Sequence, residues 1–166
     1  MKTYYSTTQS PIGELLLTGN GTALTGLYMQ VHKYGREISV DWSRDEAAFK
    51  PARAQLAAYF AGESHRFELP VALAGTPFQQ RVWRALLEIP YGATESYGAL
   101  ASRIGAPNAP RAVGLANGRN PVSIIVPCHR VIGANGSLTG YGGGIERKQW
   151  LLTHERPADQ RKALAG

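Results

Sequence analysis

The residues with the most chemistry in them surround one thiol. Cys128 is the only cysteine in 166 residues, and it stands in the run Pro127-Cys128-His129-Arg130. A lone cysteine is most often an inert buried hydrophobe. Here a histidine and an arginine follow it directly. Cationic surroundings lower a thiol pKa from about 8.5 and raise the fraction of thiolate, the strong nucleophile. If Cys128 and His129 are extended neighbours, their side chains point to opposite faces. Proton transfer between them then needs a bridging water or a turn. A base used in this way is oriented by a third group, and Glu155 beside His154 is the candidate, giving the order Cys128, water, His129, Glu155. The competing reading makes His154 and Glu155 helix-end surface residues.

Composition removes several other classes. One cysteine forms no internal disulfide, and with four scattered histidines it builds no cysteine-rich zinc site. No run approaches the ~18 apolar residues that span a bilayer. The start, Met1-Lys2-Thr3-Tyr4-Tyr5, lacks the apolar core of a signal peptide. The expectation is a cytoplasmic protein, nucleoid-associated in a prokaryote, with no membrane, metal or cofactor.

Charge is distributed unevenly. Residues 1–75 carry seven Lys/Arg and seven Asp/Glu, whereas residues 76–166 carry eleven and five, so the whole net charge of +6 sits in the second part. Nine of those eleven cations are arginine, which suits bidentate phosphate contacts better than lysine. A basic half beside a neutral half points to a polyanion, most often nucleic acid, or to a solvated basic surface.

The elements that must position these groups follow from local signals. Residues 3–8, 14–18 and 23–29 read as strands of a meander, with turns at Ser10-Pro11-Ile12-Gly13 and Asn20-Gly21. Residues 46–60 read as a helix stopped by Gly62. Residues 71–75 are lightly featured and read as a linker. This divides the chain into an N-terminal α/β domain (1–70), the linker and a second domain (76–166). Thr76-Pro77-Phe78-Gln79 predicts a helix start with a capping box, and that helix runs to about Ile89. Ser96 caps a short helix over 97–104. A Gly/Pro turn leads to a second short helix over 111–117, which makes a helix-turn-helix. The second helix has tiny side chains, with Ala112, Gly114 and Ala116 following Arg111. A major-groove reader offers long polar side chains instead. A small face suits close approach in a minor groove or tight packing in a core. Residues 123–126 read as a buried strand entering Pro127 and continued by 131–132. A turn at 134–137, a glycine-dense loop at 138–144 and a helix over 145–154 complete the domain, and the polar tail from Arg156 is expected to fray. The fold class is α/β of the α+β kind. A small sheet-plus-helix domain precedes a mostly helical, winged-helix-like domain.

Three segments carry a resemblance: Arg111-Ala112-Val113-Gly114, Asn120-Pro121 and Ile124-Ile125-Val126-Pro127-Cys128-His129-Arg130-Val131. Together they resemble the signature of the O6-alkylguanine–DNA alkyltransferases. Tyr97 after Ser96, the Tyr141-Gly142-Gly143 loop and the Trp150-Leu151-Leu152 helix ending at His154-Glu155 match in order and spacing. The match covers essentially all of 76–166, while the N-terminal half is similar only in length and coarse pattern. The resemblance implies direct-reversal DNA repair, in which Cys128 takes the alkyl group from O6 of a flipped guanine, or O4 of thymine, once and irreversibly.

It also implies roles. His129 and Glu155 serve the thiol, and the Tyr97 hydroxyl acts at the base ring. The carbonyls of Cys128 and Val131 accept from the exocyclic amine. The Gly142 amide, in the loop with Tyr141 and Gly143, donates to the departing oxygen. Asn120 braces the turn into the active-site segment. Arg111 replaces the flipped base in the stack, and Tyr97 crowds the target phosphate. Ser96, Ala112, Gly114 and Ala116 meet the DNA. The implied partner is double-stranded DNA, approached through the minor groove by a monomer, with cooperativity left open. Two departures remove bulk: Ser123 stands where some members carry proline, and Gly142 where some carry serine. They predict a roomier pocket. The competing classes are a helix-turn-helix regulator with a redox-sensing cysteine, which would prefer one DNA sequence, and a cysteine hydrolase, which would turn over repeatedly.

Overall fold

The computed structural model describes residues 2–30, 37–138 and 141–157. Part of the expected glycine-dense loop (139–140) and most of the polar tail (158–166) lie outside the described residues. The chain forms two compact units, Met1–Ala74 with Pro121–Ile125, and Gly75–Asn120 with Val126–Gly166.

The first unit is built on the expected meander. Strands β1 (Tyr4–Thr8), β2 (Leu15–Gly19) and β3 (Leu24–Met29) pair antiparallel in sequence, and a two-residue β4 (Ser43–Arg44) joins β1 in parallel. The sheet order is β3-β2-β1-β4. Asn20 makes the β2–β3 turn by accepting from the N–H groups of Thr22 and Ala23, both at 2.9 Å, the local bond that makes Asn a turn former. Leu15, Leu17 and Leu27 are completely buried. Helix α1 (Lys50–Phe60) begins four residues later than 46. Pro51 sits in its first turn, where a missing N–H costs nothing, and Phe49 precedes it without a side-chain cap. Its inward face buries Ala52, Leu56 and Tyr59.

The outer edge of β3 is covered by two short segments. Leu24 donates to Pro70 O at 2.9 Å, and Ala72 donates back to Leu24 O at 2.8 Å. Further along, Leu27 donates to Pro121 O at 2.8 Å, and Ser123 donates to Leu27 O at 3.3 Å. Residues 71–72, expected as linker, are therefore part of the sheet edge. Residues 121–125, expected in the second domain, belong to the first unit. Such pairings between distant segments have no local signature, so hydropathy alone does not reveal them.

In the second unit, α2 (Pro77–Leu86) starts with the expected capping box. Thr76 Oγ1 accepts from the Gln79 N–H at 3.1 Å, and Gln79 Oε1 accepts from the Thr76 N–H at 3.0 Å. The helix ends at Leu86, short of Ile89, because tighter i→i−3 bonds from Glu88 and Ile89 close it. Its inward residues include Val82 and Trp83, and Trp83 Nε1 donates to Ala116 O at 2.8 Å. Ser96 caps α3 (Tyr97–Arg103), accepting from the Ala99 N–H at 3.0 Å. After a turn comes α4 (Pro110–Gly118), completing the helix-turn-helix. A 3₁₀ turn (Cys128–Arg130), β6 (Val131–Ile132) and α5 (Ile145–His154) follow, and β6 pairs in parallel with β5 (Glu95–Ser96).

The expected strand over 123–126 is instead a tight turn. Ile124 has φ +73°, and Ile125 donates to Ser123 O at 2.8 Å. A β-branched residue in the left-handed region costs on the order of 1–3 kcal/mol, and burial of the Ile124 side chain offsets it. No helix among the described residues is long and apolar enough to cross a membrane.

Candidate active site

Cys128 is buried and opens the 3₁₀ turn, so it and His129 are not extended neighbours. The turn places the next two side chains, His129 and Arg130, on one carboxylate. His129 Nε2 lies 2.7 Å from Glu155 Oε2. Arg130 grips the same group through Nε to Oε1 at 2.8 Å and Nη2 to Oε2 at 2.9 Å, and it donates to Ile89 O at 2.7 Å. The Tyr91 ring lies under the guanidinium at 5.7 Å. Glu155 follows α5 directly as its C-cap, held by its N–H to Leu151 O. Gly92 lies against it with φ +82°, and a Cβ there would come within 3.1 Å of the Glu155 carbonyl.

Burial pushes the Glu155 carboxyl up, but the hydrogen bonds from His129 and Arg130 and the charge of Arg130 outweigh it and hold the acid far below the usual carboxylate range. The His129 pKa is lowered, chiefly because burial penalises its cation; Glu155 pulls it back, while Arg130 and Lys148 add to the lowering. His129 is thus a neutral imidazole with its proton on Nε2, facing Glu155. Nδ1 is then an acceptor, and it is buried without a hydrogen-bond partner.

Lys148, on the buried face of α5, completes the cluster. Its Nζ donates to Val131 O at 2.6 Å and lies 3.5 Å from the Tyr97 hydroxyl. Burial pulls its pKa down from 10.5 to about 8, and attraction from the Cys128 thiolate works the other way. That mutual attraction stabilises the thiolate in turn. Asn117, on the inward face of α4, donates to Cys128 O at 3.2 Å, while its Oδ1 is buried without a partner. Asn120 donates to Val126 O at 2.8 Å and so closes the turn that leads to Pro127.

Cys128, His129, Glu155, Val131 and Tyr97 are thus brought into one cluster. Tyr141, Gly142 and Gly143 are buried in the segment entering α5, and Gly143 O accepts from Arg147 at 3.1 Å. The residues expected at DNA divide. Arg111 and Ala112 are exposed, Gly114 is half-buried, and Ala116 is buried. Ala116 is 3% exposed, so it packs inward and is not part of an outward small face. Gly114 lies near the Tyr97 ring, and an added Cβ would sit 3.7 Å from it, an ordinary contact. The Ser96 hydroxyl is engaged in its cap.

Three residues of the cluster have roles that depend on distant partners. Lys148 reads as a surface cation beside Arg147, yet it stands three residues before Leu151 and seven before Glu155, on the inward face. Asn117 shares the period of Val113 and Ala116. Arg130 reads as a cation near the thiol, and its grip on Glu155 has no local signal. For Lys148 and Asn117 a polar residue at an apolar-periodic position is the available signal.

Comparison with known proteins covers both units. The family described as 6-O-methylguanine DNA methyltransferase, DNA binding domain, matches residues 77–157, and its ribonuclease-like domain matches residues 3–73. The methylated-DNA–protein-cysteine methyltransferase of Mycobacterium tuberculosis is 58% identical over 159 residues, covering 94% of this chain and 96% of that protein. The protein of the same name from Methanosarcina acetivorans is 52% identical over 152 residues, covering 92% and 97%. The crystal structure of Mycobacterium tuberculosis OGT in complex with DNA superposes with a TM-score of 0.86 at 57% identity, covering 95% of this chain and 98% of that one.

Proposed function

The chain belongs to the 6-O-methylguanine DNA methyltransferase family, and on that premise we propose how its residues share the work. The activity is that of a methylated-DNA–protein-cysteine methyltransferase, direct-reversal repair with DNA as partner. Cys128 is the alkyl acceptor. The observation that carries this assignment is a buried thiol next to a neutral imidazole whose Nε2 faces Glu155, with the Lys148 cation close by.

The thiol proton passes through a water to His129 Nδ1, and Glu155 stabilises the imidazolium that forms. The thiolate sulfur bonds to the alkyl carbon as the bond from that carbon to O6 breaks. The bonding electron pair leaves with the guanine, which takes up a proton in exchange for the one the thiol gave up. Attack at a saturated carbon needs an in-line nucleophile and a stabilised leaving group, and no oxyanion hole. Tyr97, whose hydroxyl faces Lys148, serves the leaving base as a donor. The Val131 carbonyl holds the exocyclic amine together with that of Cys128. Val131 O already accepts from Lys148 and Cys128 O from Asn117, so both carbonyls are oriented in advance. Tyr141, Gly142 and Gly143 line the base site, with the Gly142 amide at the departing oxygen. The thioether does not revert, so each molecule acts once.

Toward DNA, Arg111 takes the place of the flipped base, which offsets part of the few kcal/mol of unstacking. Ala112 and Gly114 allow close approach in the minor groove, and Tyr97 and Ser96 lie beside the target phosphate. The protein works as a cytoplasmic monomer without cofactor. The absence of bulk at Gly142 favours acceptance of ethyl and benzyl groups, and of O4-alkylthymine, beside methyl. Equal reactivity toward methyl alone, with the larger lesions inert, would refute that extension.

The test is intact mass and peptide mapping after mixing with duplex containing O6-methylguanine. One added methyl group on the Cys128 peptide, one equivalent per molecule and restored guanine are expected. Many equivalents per molecule would indicate a hydrolase. Unchanged mass with DNA bound would indicate a lesion sensor or regulator.

A further inference from the structure

Helix α3 carries Tyr97 in its first turn, yet little apolar packing holds it. Of its seven residues, Leu100 and Ala101 are the buried ones, and the strand that leads into it, β5, has two residues. Polar contacts with α2 supply what burial does not. Arg81 of α2 donates to Ile104 O at the far end of α3. Arg103, in the last turn of α3, reaches back past the near end. Its Nε donates to Glu95 Oε2 at 3.0 Å and its Nη2 to Glu95 Oε1 at 2.8 Å. The same guanidinium donates to Ala85 O at 2.8 Å and to Glu88 Oε2 at 2.6 Å, at and just beyond the end of α2. An isolated surface ion pair contributes little. This one is bidentate, it shares its cation with a backbone carbonyl, and the Glu95 side chain is only 19% exposed. Neither Arg103 nor Glu95 takes part in alkyl transfer itself.

We propose that Arg103 is a positioning residue for Tyr97. Glu95 stands two residues before Tyr97. Its backbone pairs with Val131, and that of Ser96 pairs with Ile132. By gripping Glu95, Arg103 fixes this short pairing and with it the place of the Tyr97 hydroxyl relative to Val131 O. Lys148 touches both groups, with Nζ 2.6 Å from Val131 O and 3.5 Å from the Tyr97 hydroxyl, so a shift of β5 is felt in the site. A misplacement of about 1 Å is enough to cost much of the rate. The proposal rests on the reading that Tyr97 is the donor to the leaving base. The competing use of an arginine in this domain is a phosphate contact. Charge argues against it, because Glu88 and Glu95 bring two negative charges to one cation, and such a cluster does not attract a polyanion.

The experiment is the single-turnover rate of the full chain on duplex containing O6-methylguanine, followed against protein concentration to separate the maximal rate from half-saturation. Arg103→Gln is expected to lower the maximal rate about five- to tenfold and to leave the half-saturating concentration within about twofold. Glu95→Gln is expected to do the same, although it changes the charge in the opposite direction. Opposite shifts of half-saturation in the two variants, with unchanged maximal rates, would assign Arg103 to DNA and overturn the proposal. Arg103→Lys keeps the charge but cannot span both carboxylate oxygens, so it should recover only part of the rate. In a Tyr97→Phe background, Arg103→Gln should cost about twofold or less, because the hydroxyl it positions is gone. An undiminished loss in that background would show a merely structural role and overturn the proposal. So would a wild-type maximal rate of Arg103→Gln in the parent chain. A wild-type rate of Tyr97→Phe itself would overturn the reading of Tyr97, and the proposal with it.

Discussion

The two units bury different kinds of atoms. Among the described residues, the polar side chains buried in the first are the hydroxyls of Ser6, Thr18 and Ser123. In the second, Asn117, Asn120, His129, Arg130, Lys148, His154 and Glu155 are all buried. A hydroxyl is inexpensive to bury once it has a partner, whereas a buried charge without a partner is not tolerated. The first unit therefore behaves as an ordinary apolar core. The second holds ionised groups away from water, where each acts more strongly on the thiol than it would at the surface. Stability and reactivity draw on the same side chains in the second unit and are separable in the first.

Substitutions can sharpen or break this contrast. The largest effect is expected from Cys128→Ala, which should abolish alkyl transfer while leaving DNA binding and the melting temperature near wild type. Residual alkylation on another residue in the mass spectrum would remove Cys128 from its role. Next comes Glu155→Ala, which strips Arg130 and His129 of their shared partner and should cost about 3–5 kcal/mol in denaturant unfolding. Ser6→Ala in the first unit, where Ser6 bonds to Glu46 at 2.9 Å, should cost about 1 kcal/mol. Equal costs for the two would erase the contrast.

Lys148→Met should slow transfer roughly tenfold or more through loss of the cation beside the thiolate. It should also change the pH dependence of stability. The lysine titrates near 8 when folded and near 10.5 when unfolded. The unfolded chain therefore holds more protons in that window, and stability should rise with pH between those values. In Lys148→Met that rise should vanish, as read from melts between pH 7.5 and 10.5. The smallest effect is expected from Arg111→Ala, whose side chain is exposed. It should slow repair of duplex lesions while sparing both the free alkylated base and the melting temperature.

Much of this arrangement is legible in the chain because its signals are local. The capping box at Thr76 and Gln79, the Ser96 cap, and α5 with its end at His154 are set by residues within one turn of each other. The thiol with its histidine and the candidate carboxylate could be named from residue chemistry and the resemblance. What was not legible depends on distant partners. The parallel pairings of Ser43–Arg44 with β1 and of Glu95–Ser96 with β6 are too short for a hydropathy pattern. Residues 124–126 are apolar and β-branched, and their propensity favours a strand. Burial of Ile124 and the Asn120 bond to Val126 O override that preference. Lys148 carries no local sign of its role, because nothing nearby in sequence tells that its partners are Val131 O and Tyr97.

The stitching of residues 121–123 to the edge of β3 bears on where the gene can be cut. The chain leaves the second unit after Asn120, contributes five residues to the first and returns at Val126, two residues before the thiol. Excision at Ala74 would yield a fragment whose approach to Pro127 has lost its pairing strand, along with the Leu27 bonds that hold it. A gene cut between the two halves would therefore part residues 121–125 from the sheet edge they complete.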